Sequence, residues 1–471
     1  MKHLLARISR LVMCPRLSFR SKNARRGCAK EGAHQKSGAS ITSLGEKCGL
    51  AVVFLLLSAA TLAESYTLHA GAMFDSVSGN VLEERSIHVA DGKIVSVAAG
   101  YEEVTAGGQV IDLRDSTVMP GLMDMHVHLD MELTPDFYTE KYTLNPADHA
   151  YRSAVYARRT LLAGFTTVRN IGDTDNITIS LRNAIEQGYV EGPHILTAGK
   201  GISVTGGHMD PTSGNSYALM GDPGPLDGVI NGPYEARKAV RQRYKDGADV
   251  IKVAATGGML STTKNGMAPH VAMDELEAIV ETAADYGMVV AAHAHGAEGI
   301  KRAVRAGVNS IEHGTELDDE GIRLMKQHGT YLVPTMMAPD FAVQKTKIDG
   351  YFPEIILAKV RGFEQSVPAM VNKAYKSGVN IAFGTDSGVT PHGENGKEFV
   401  LLVGAGMKPE HALQSATINN ARLLRIEDEA GSLEAGKRAD IVAVKGDPLA
   451  EISLMQNVSF VMKQGKIYKQ E

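Results

Sequence analysis

Two histidines stand two positions apart in V-M-P-G-L-M-D-M-H-V-H-L-D, residues 118–130, at the end of an apolar run bounded by Pro120 and Gly121. A run of that kind suits a short buried strand, and a strand points alternate side chains the same way, so His126 and His128 share a face. Two imidazoles so placed can reach one cation at roughly 2.0–2.1 Å. By itself H-x-H is a weak signal, because histidine pairs in strands often only hydrogen-bond. Four further side chains change its weight: Lys252 in D-V-I-K-V-A-A-T-G-G, His293 in V-V-A-A-H-A-H-G, His313 in S-I-E-H-G-T and Asp386 in I-A-F-G-T-D-S-G. Each has a plain reading. Lys252 could be an edge or snorkelling lysine, His293 and His313 satisfied core histidines, and Asp386 an N-cap. All six lie at the ends of apolar runs, and for the plain readings to stand, every one must hold at once. The set is the donor set of a binuclear metal site. A buried lysine loses proton affinity, and the neutral amine can capture carbon dioxide to become a carbamate that bridges two cations.

The elements that must position these residues follow from periodicity. Candidate strands run over 122–128, 165–171, 195–199, 250–254, 289–293, 310–313, 331–334 and 380–385. Amphipathic helices are expected at 151–163, 234–246, 273–286 and 297–306. Eight strand–helix units across residues 120–420 fit a (β/α)8 TIM barrel, in which chemistry collects where strand C-termini meet the following loops. The Gly-rich segments follow strands without G-x-G-x-x-G spacing, so they are neither dinucleotide nor Walker loops. Residues 64–119 and 421–471 instead show short alternating runs, with A-D-G-K reading as a hairpin turn. Together they predict a small β-sandwich built from both ends of the chain.

The chain has 471 residues, 44% of them apolar and 22% charged, enough for a large core. Residues 1–47 hold 11 Lys/Arg against 2 Glu, while the part from Glu64 onward holds 38 Lys/Arg against 52 Asp/Glu, a charge of −14 that disfavours nucleic acid. The apolar run from Cys48 to Ala63 ends in small residues and reads as a secretory signal. Cleavage near Ala63 would give a periplasmic or secreted protein with no membrane anchor; an uncleaved anchor is the rival. Cys14, Cys28 and Cys48, the chain's three cysteines, all lie in that leader. The mature chain would contain neither disulfides nor thiolate ligands.

In order, H-x-H, Lys, His, His and Asp resemble the amidohydrolase superfamily, binuclear branch. The flanking words G-x-x-D-x-H-x-H, A-G-x-x-x-x-E-H-G, F-G-T-D-S-G, A-L-x-x-A-T and G-S-L-E-A-G-K-x-A-D-I-V are similar to those of Xaa-Pro and Xaa-Lys/Arg dipeptidases and of ochratoxin-hydrolysing relatives. The resemblance spans nearly all of residues 66–468. It implies a carboxylated Lys252, a homo-oligomer, and two divalent ions, zinc on the donor chemistry. His126, His128 and Asp386 would bind one ion, His293 and His313 the other, with a bridging hydroxide attacking a dipeptide or N-acyl amino acid and Asp386 moving the proton to the leaving nitrogen.

His295 shares a face with His293 and could exchange roles with it. His208, His392 and Arg169 are candidates for holding a substrate carboxylate or a developing oxyanion, and each could equally be structural. Met336, Met337 and Phe341 suggest an apolar wall. Asp130 would either disfavour an anionic leaving group or bond a backbone amide. Two rival functions are a mononuclear deaminase or imidazolonepropionase-like hydrolase of a cyclic C–N bond, and a non-catalytic binding barrel. The first would lack the bridging lysine and carry glutamate near position 295. The second would be expected to have lost ligands.

Overall fold

The computed structural model describes residues 65–103, 108–360 and 366–471. The expected leader, with all three cysteines, lies outside the described residues. Strands β1 (Tyr66–Asp75), β2 (Asn80–Ala90), β3 (Lys93–Ala99) and β4 (Gln109–Pro120) open the chain. The β2–β3 turn places Asp91 and Gly92 at φ 51° and 73°, the two positive values that a tight hairpin turn of matching twist requires and that Asp-Gly supplies.

Next come β5 (Leu122–Val127), β6 (Phe165–Asn170) and β7 (His194–Thr197), which pair in parallel. A two-strand pair, β8 (Ser203–Val204) and β9 (Val229–Ile230), precedes a parallel sheet of β10 (Val250–Ala254), β11 (Val289–Ala294), β12 (Ser310–His313) and β13 (Tyr331–Val333). Helices Pro146–Leu162, Pro233–Asp246, Met273–Asp285 and Ala297–Ala306 alternate with these strands. The last of them shows why it starts and stops. Ile300, Ala303 and Val304 recur at helical spacing on its buried face, and Gly307 at φ 96° ends it in the left-handed conformation.

The parallel strands make two arcs rather than one closed ladder. On one side Asp249 N donates to Thr197 O at 2.8 Å and Ile202 bridges Val253. On the other, the segment after residue 379 carries isolated bridges from Ile381 to Leu332 and from Ser387 to Val127. The expected eighth strand, 380–385, is therefore not a regular strand. Backbone bonds still join it to both neighbours, Ala382 N donating to Leu332 O and Met125 N to Phe383 O, each at 2.9 Å, and side chains add to them: the Asn420 amide donates to Met123 O at 2.8 Å and to Phe383 O at 3.0 Å, and its Oδ1 accepts from Phe383 N at 3.1 Å.

The terminal strands β14 (Ile441–Lys445), β15 (Phe460–Lys463) and β16 (Lys466–Gln470) return to the first sheet, whose order is β16-β15-β14-β4-β1-β2-β3. The expected sandwich of two sheets is instead one hydrogen-bonded sheet that curls until its edge strand β3 meets the segment leading into β14. Ile94 N donates to Lys437 O at 2.9 Å and Lys93 bridges Arg438. Phe460 and Met462 of β15 share a core with Ile87 of β2 and Ile94 of β3. Curling lets one continuous sheet enclose apolar side chains on its concave face without a second sheet.

Candidate metal centre

The C-terminal ends of β5, β11 and β12 bring five imidazoles together. His126 and His128 lie at the end of β5, and their Nε2 atoms both stand 3.4 Å from Asp386 Oδ1. These three form one group whose donor atoms lie within 4.8 Å of one another, and His293, His295 and His313 form a second. The groups abut, with the His126 and His313 ring centroids 4.9 Å apart. Lys252, on β10, is 3% exposed and faces the same cavity. Burial pulls its ammonium down to about 8, against the raising effect of Glu312 and Asp386. Burial also keeps the imidazoles neutral. His126 is pushed down to about 4 and His295 to about 3, while His293 and His313 fall well below the usual histidine range. His128 is the exception: burial opposes its charge, but Asp386 beside it raises the pKa overall. Neutral imidazole is the form that binds metal.

Each ring is held through one nitrogen. His126 Nδ1 sits 2.9 Å from Glu312 Oε2, His128 Nδ1 2.9 Å from Gly172 O, and His293 Nε2 2.8 Å from Gly257 O. His295 Nδ1 meets Thr315 Oγ1 at 2.8 Å and His313 Nδ1 meets Thr335 Oγ1 at 2.7 Å. Partners of this kind fix ring orientation and are the usual support for metal ligands. Glu312 is itself fully buried and accepts from Arg169 Nη2 at 2.8 Å, and burial, which would raise its pKa, is outweighed by Arg169 and His126, so that it is held at about 2. Asp124 takes the same part for the other acid. It accepts from His126 N (3.0 Å), from Thr385 N (3.1 Å) and Oγ1 (2.6 Å), and from Asn395 Nδ2 (2.8 Å), tying β5 to the segment that carries Asp386. Asp386, His313 and Thr335 all have left-handed backbones, at φ 59°, 69° and 48°. Such conformations cost non-glycine residues of order 1–3 kcal/mol each and cluster where function over-determines the backbone.

Over these groups opens a cavity of about 600 Å³. Its lining includes the apolar Met131, Leu133, Phe137 and Val389 and the acidic Asp130, Asp173, Asp175 and Asp227.

The amidohydrolase family pattern matches residues 117–468, most of the chain. The chain belongs to the amidohydrolase family. Ochratoxinase of Aspergillus niger is 33% identical over 377 residues, 76% of either chain. Among solved structures, a Xaa-Pro dipeptidase with bound methionine in its active site is 48% identical, with a TM-score of 0.84 over 86% of this chain and all of the other. A prolidase complexed with N-methylphosphonate-L-proline is 31% identical, with a TM-score of 0.79 over 86% of this chain and all of its own.

In this amidohydrolase the cavity holds two of the four residues expected to touch substrate. His208 lines it and lies tilted against His293 at 4.2 Å between centroids, in a space that exists because residue 258 is glycine: a Cβ there would lie 2.1 Å from His208 Nδ1. His295 lines the cavity too, as part of the second donor group. The other two expectations are corrected. Arg169 is fully buried away from the cavity, and Nε, Nη1 and Nη2 donate to Met125 O, Ser310 Oγ and Glu312 Oε1. A strand-end arginine read as an anion anchor is instead the counter-charge of a buried glutamate. His392 is 4% exposed, outside the cavity, stacked on Tyr156 at 4.7 Å with Nε2 3.0 Å from Met131 O. Met336 and Met337 are core residues, and the lining falls to Ala338, Pro339 and Ala342. Glu312 and Asp124 were not singled out. Their signal was in the sequence, an acid inside an apolar strand next to a ligand, where burial demands a partner.

Proposed function

We propose that this amidohydrolase hydrolyses the C–N amide bond of a dipeptide or N-acyl amino acid with the help of two divalent ions. The observation that carries the reading is the pair of abutting three-donor groups with a buried, proton-poor lysine facing the same cavity. The donors fit the cations. His126, His128 and Asp386 would hold one ion and two or three of His293, His295 and His313 the other, with a Lys252 carbamate shared between them. The nitrogen- and oxygen-rich set suits zinc. Such ions, when bound, lower the pKa of water and polarise a carbonyl. Asp386 would accept the proton of the attacking water as the C–O bond forms and pass it to the nitrogen as the C–N bond breaks. The neutral His208 ring, beside the second group, would donate to the carbonyl oxygen as it gains charge. Joined by their bridges and by the 380–387 segment, the two strand arcs would complete one eight-unit barrel around this mouth.

Metal analysis with hydrolysis of a library of dipeptides and N-acyl amino acids, scored by mass spectrometry, tests the reading. Two metals per chain and a new free amino acid are expected. One metal with ammonia release would instead favour a deaminase, a class that Lys252 and the histidine at 295 already disfavour. No metal and no turnover would leave a binding barrel. We also propose export with cleavage near Ala63, which the mass of the mature N-terminus would check, and a homo-oligomer, which light scattering would check. Among the described residues no helix is long and apolar enough to cross a membrane.

A further inference from the structure

One loop of the cavity lining is held by side chains from elsewhere. Residues 258–266 bring Met259, Leu260 and Ser261 to the lining, and among the described residues no backbone-to-backbone hydrogen bond reaches this segment. Lys359, on helix Glu354–Val360, supplies what the backbone does not: its ammonium donates to Gly258 O at 2.8 Å, to Thr263 O at 3.0 Å and to Ser261 O. Tyr138, on helix Phe137–Thr143, donates its hydroxyl to Leu260 O at 3.0 Å. An ammonium has three donors, so Lys359 is fully spent on the loop and can act on a substrate only through it. Burial draws it down to about 8, and the three carbonyls offset the cost of a half-buried charge that no carboxylate among the described residues pairs with. Ile356, Lys359 and Val360 stand three and four apart, on one helix face. Ile356 and Val360 are buried in a small apolar cluster of their own, apart from the main core, against which Leu260 packs. Leu133, Val360 and Val389 of that cluster line the cavity together with Leu260.

We propose that Lys359 and Tyr138 are positioning residues that set substrate preference: they hold the 258–266 loop as a preformed wall against which a bulky apolar side chain of the substrate packs. Without these ties the loop would keep its ends but no fixed place, and Leu260 would no longer continue the surface made by Leu133, Val360 and Val389. With them the wall is ordered in folding, so binding does not have to order it. A small side chain would not reach the wall, and its turnover would not depend on the loop. The inference rests on the proposed amide hydrolysis for its reaction, and on the two ties for the wall.

Three dipeptides test it. Leu-Ala and Ala-Leu each place a bulky apolar side chain on one side of the scissile bond, and Ala-Ala places none. In the metal-loaded enzyme at least one of the first two should exceed Ala-Ala in kcat/KM by about tenfold, the scale of methylenes entering an apolar pocket. In both Lys359→Met and Tyr138→Phe that ratio should fall at least about threefold, the scale of a lost hydrogen bond, while kcat/KM for Ala-Ala stays within about twofold of wild type. Tyr138→Phe changes no charge, so it separates the wall from the field that Lys359 casts on His208 and His295, and it decides alone if Lys359→Met does not fold. Tryptic cleavage after the exposed Lys264 should also quicken at least about threefold in the variants, with cleavage elsewhere unchanged. Ratios near unity in the wild type, ratios unchanged in the variants, an equal loss for all three dipeptides, or cleavage no faster than in wild type would overturn the proposal. If none of the three is hydrolysed, the amide-hydrolase reading fails on its own account. Calorimetric Kd values of the same dipeptides then supply the ratios, and the same outcomes decide.

Discussion

An amine that is 3% exposed cannot keep the ordinary lysine affinity for protons, and Lys252 falls to about 8 although Glu312 and Asp386 pull the other way. That places a usable fraction of neutral amine near neutral pH, the form that adds to carbon dioxide. Lys252→Ala should therefore lose nearly all turnover and regain part of it with added short-chain carboxylic acids. Unchanged activity without rescue would remove the lysine from the chemistry. Arg169 and Glu312 support a second prediction. With both side chains fully buried and 2.8 Å apart, Arg169→Met strands a buried carboxylate, and urea unfolding should show a loss of about 3–5 kcal/mol. Adding Glu312→Gln should return part of it; a double variant no more stable than the single would mean that the pair is not the cause. These two residues also mark where sequence reading stops. The six ligand candidates were legible because each stands within or at the end of an apolar run, Lys252 at the centre of Val250–Ala254. Arg169 also ends one, yet nothing in T-V-R-N-I-G says whether its guanidinium meets a ligand or the glutamate 143 residues later. Only the fold brings the two together.

Elements carry the next layer of control. Seven of the eight strands expected for a barrel were legible from apolar runs, because a buried parallel strand needs little else. The eighth forms only isolated bridges, and the side chains of Asp124 and Asn420 add to the backbone hydrogen bonds that join it to its neighbours. Helix Lys397–Gly404 hides a further device. Its Glu398 reads in sequence as an ordinary first-turn acid that favours the helix dipole. In the fold it is fully buried and accepts from Met336 N and Met337 N, both at 2.8 Å, fixing the turn in which Thr335 holds His313. Burial, reinforced by Asp124 and Asp386, pushes this carboxyl from 4.5 up to about 8. A raised folded-state pKa means that the native state binds the extra proton, so the contribution is complete below about pH 4.5 and is lost as pH rises towards 8. Glu398→Gln cannot titrate. The stability difference between wild type and variant, followed by denaturant unfolding from pH 5 to pH 8, should therefore move in the variant's favour with rising pH. A difference independent of pH would show that the glutamate is already ionised or titrates outside this window.

At the scale of the whole molecule, the question is what the curled sheet does for a site that it does not touch. β14 answers through its period of two. Ile441 and Ala443 point into the sheet's own core, while Val442 and Val444 join the large core that also holds Leu122, Val127 and Phe165 of the site-bearing strands. β15 repeats the pattern, with Phe460 and Met462 on one face and Val461 on the other. β14 is also paired on both edges, to β4 and to β15, so it is neither an appendage nor an edge. Fully burying one valine is worth about 1.5–3 kcal/mol, and folded domains of any size keep only about 5–15 kcal/mol in hand. Removing residues 441–471 strips Val442, Val444, Met455, Val458 and Val461 from the large core and leaves β4 with an open edge. The shortened chain should therefore be insoluble or lack a cooperative thermal transition, although none of the proposed ligands has been removed. A truncated protein that stays monodisperse and melts at the wild-type temperature would show that the site-bearing arcs fold without the sheet, and that the shared core contributes little to holding the metal centre.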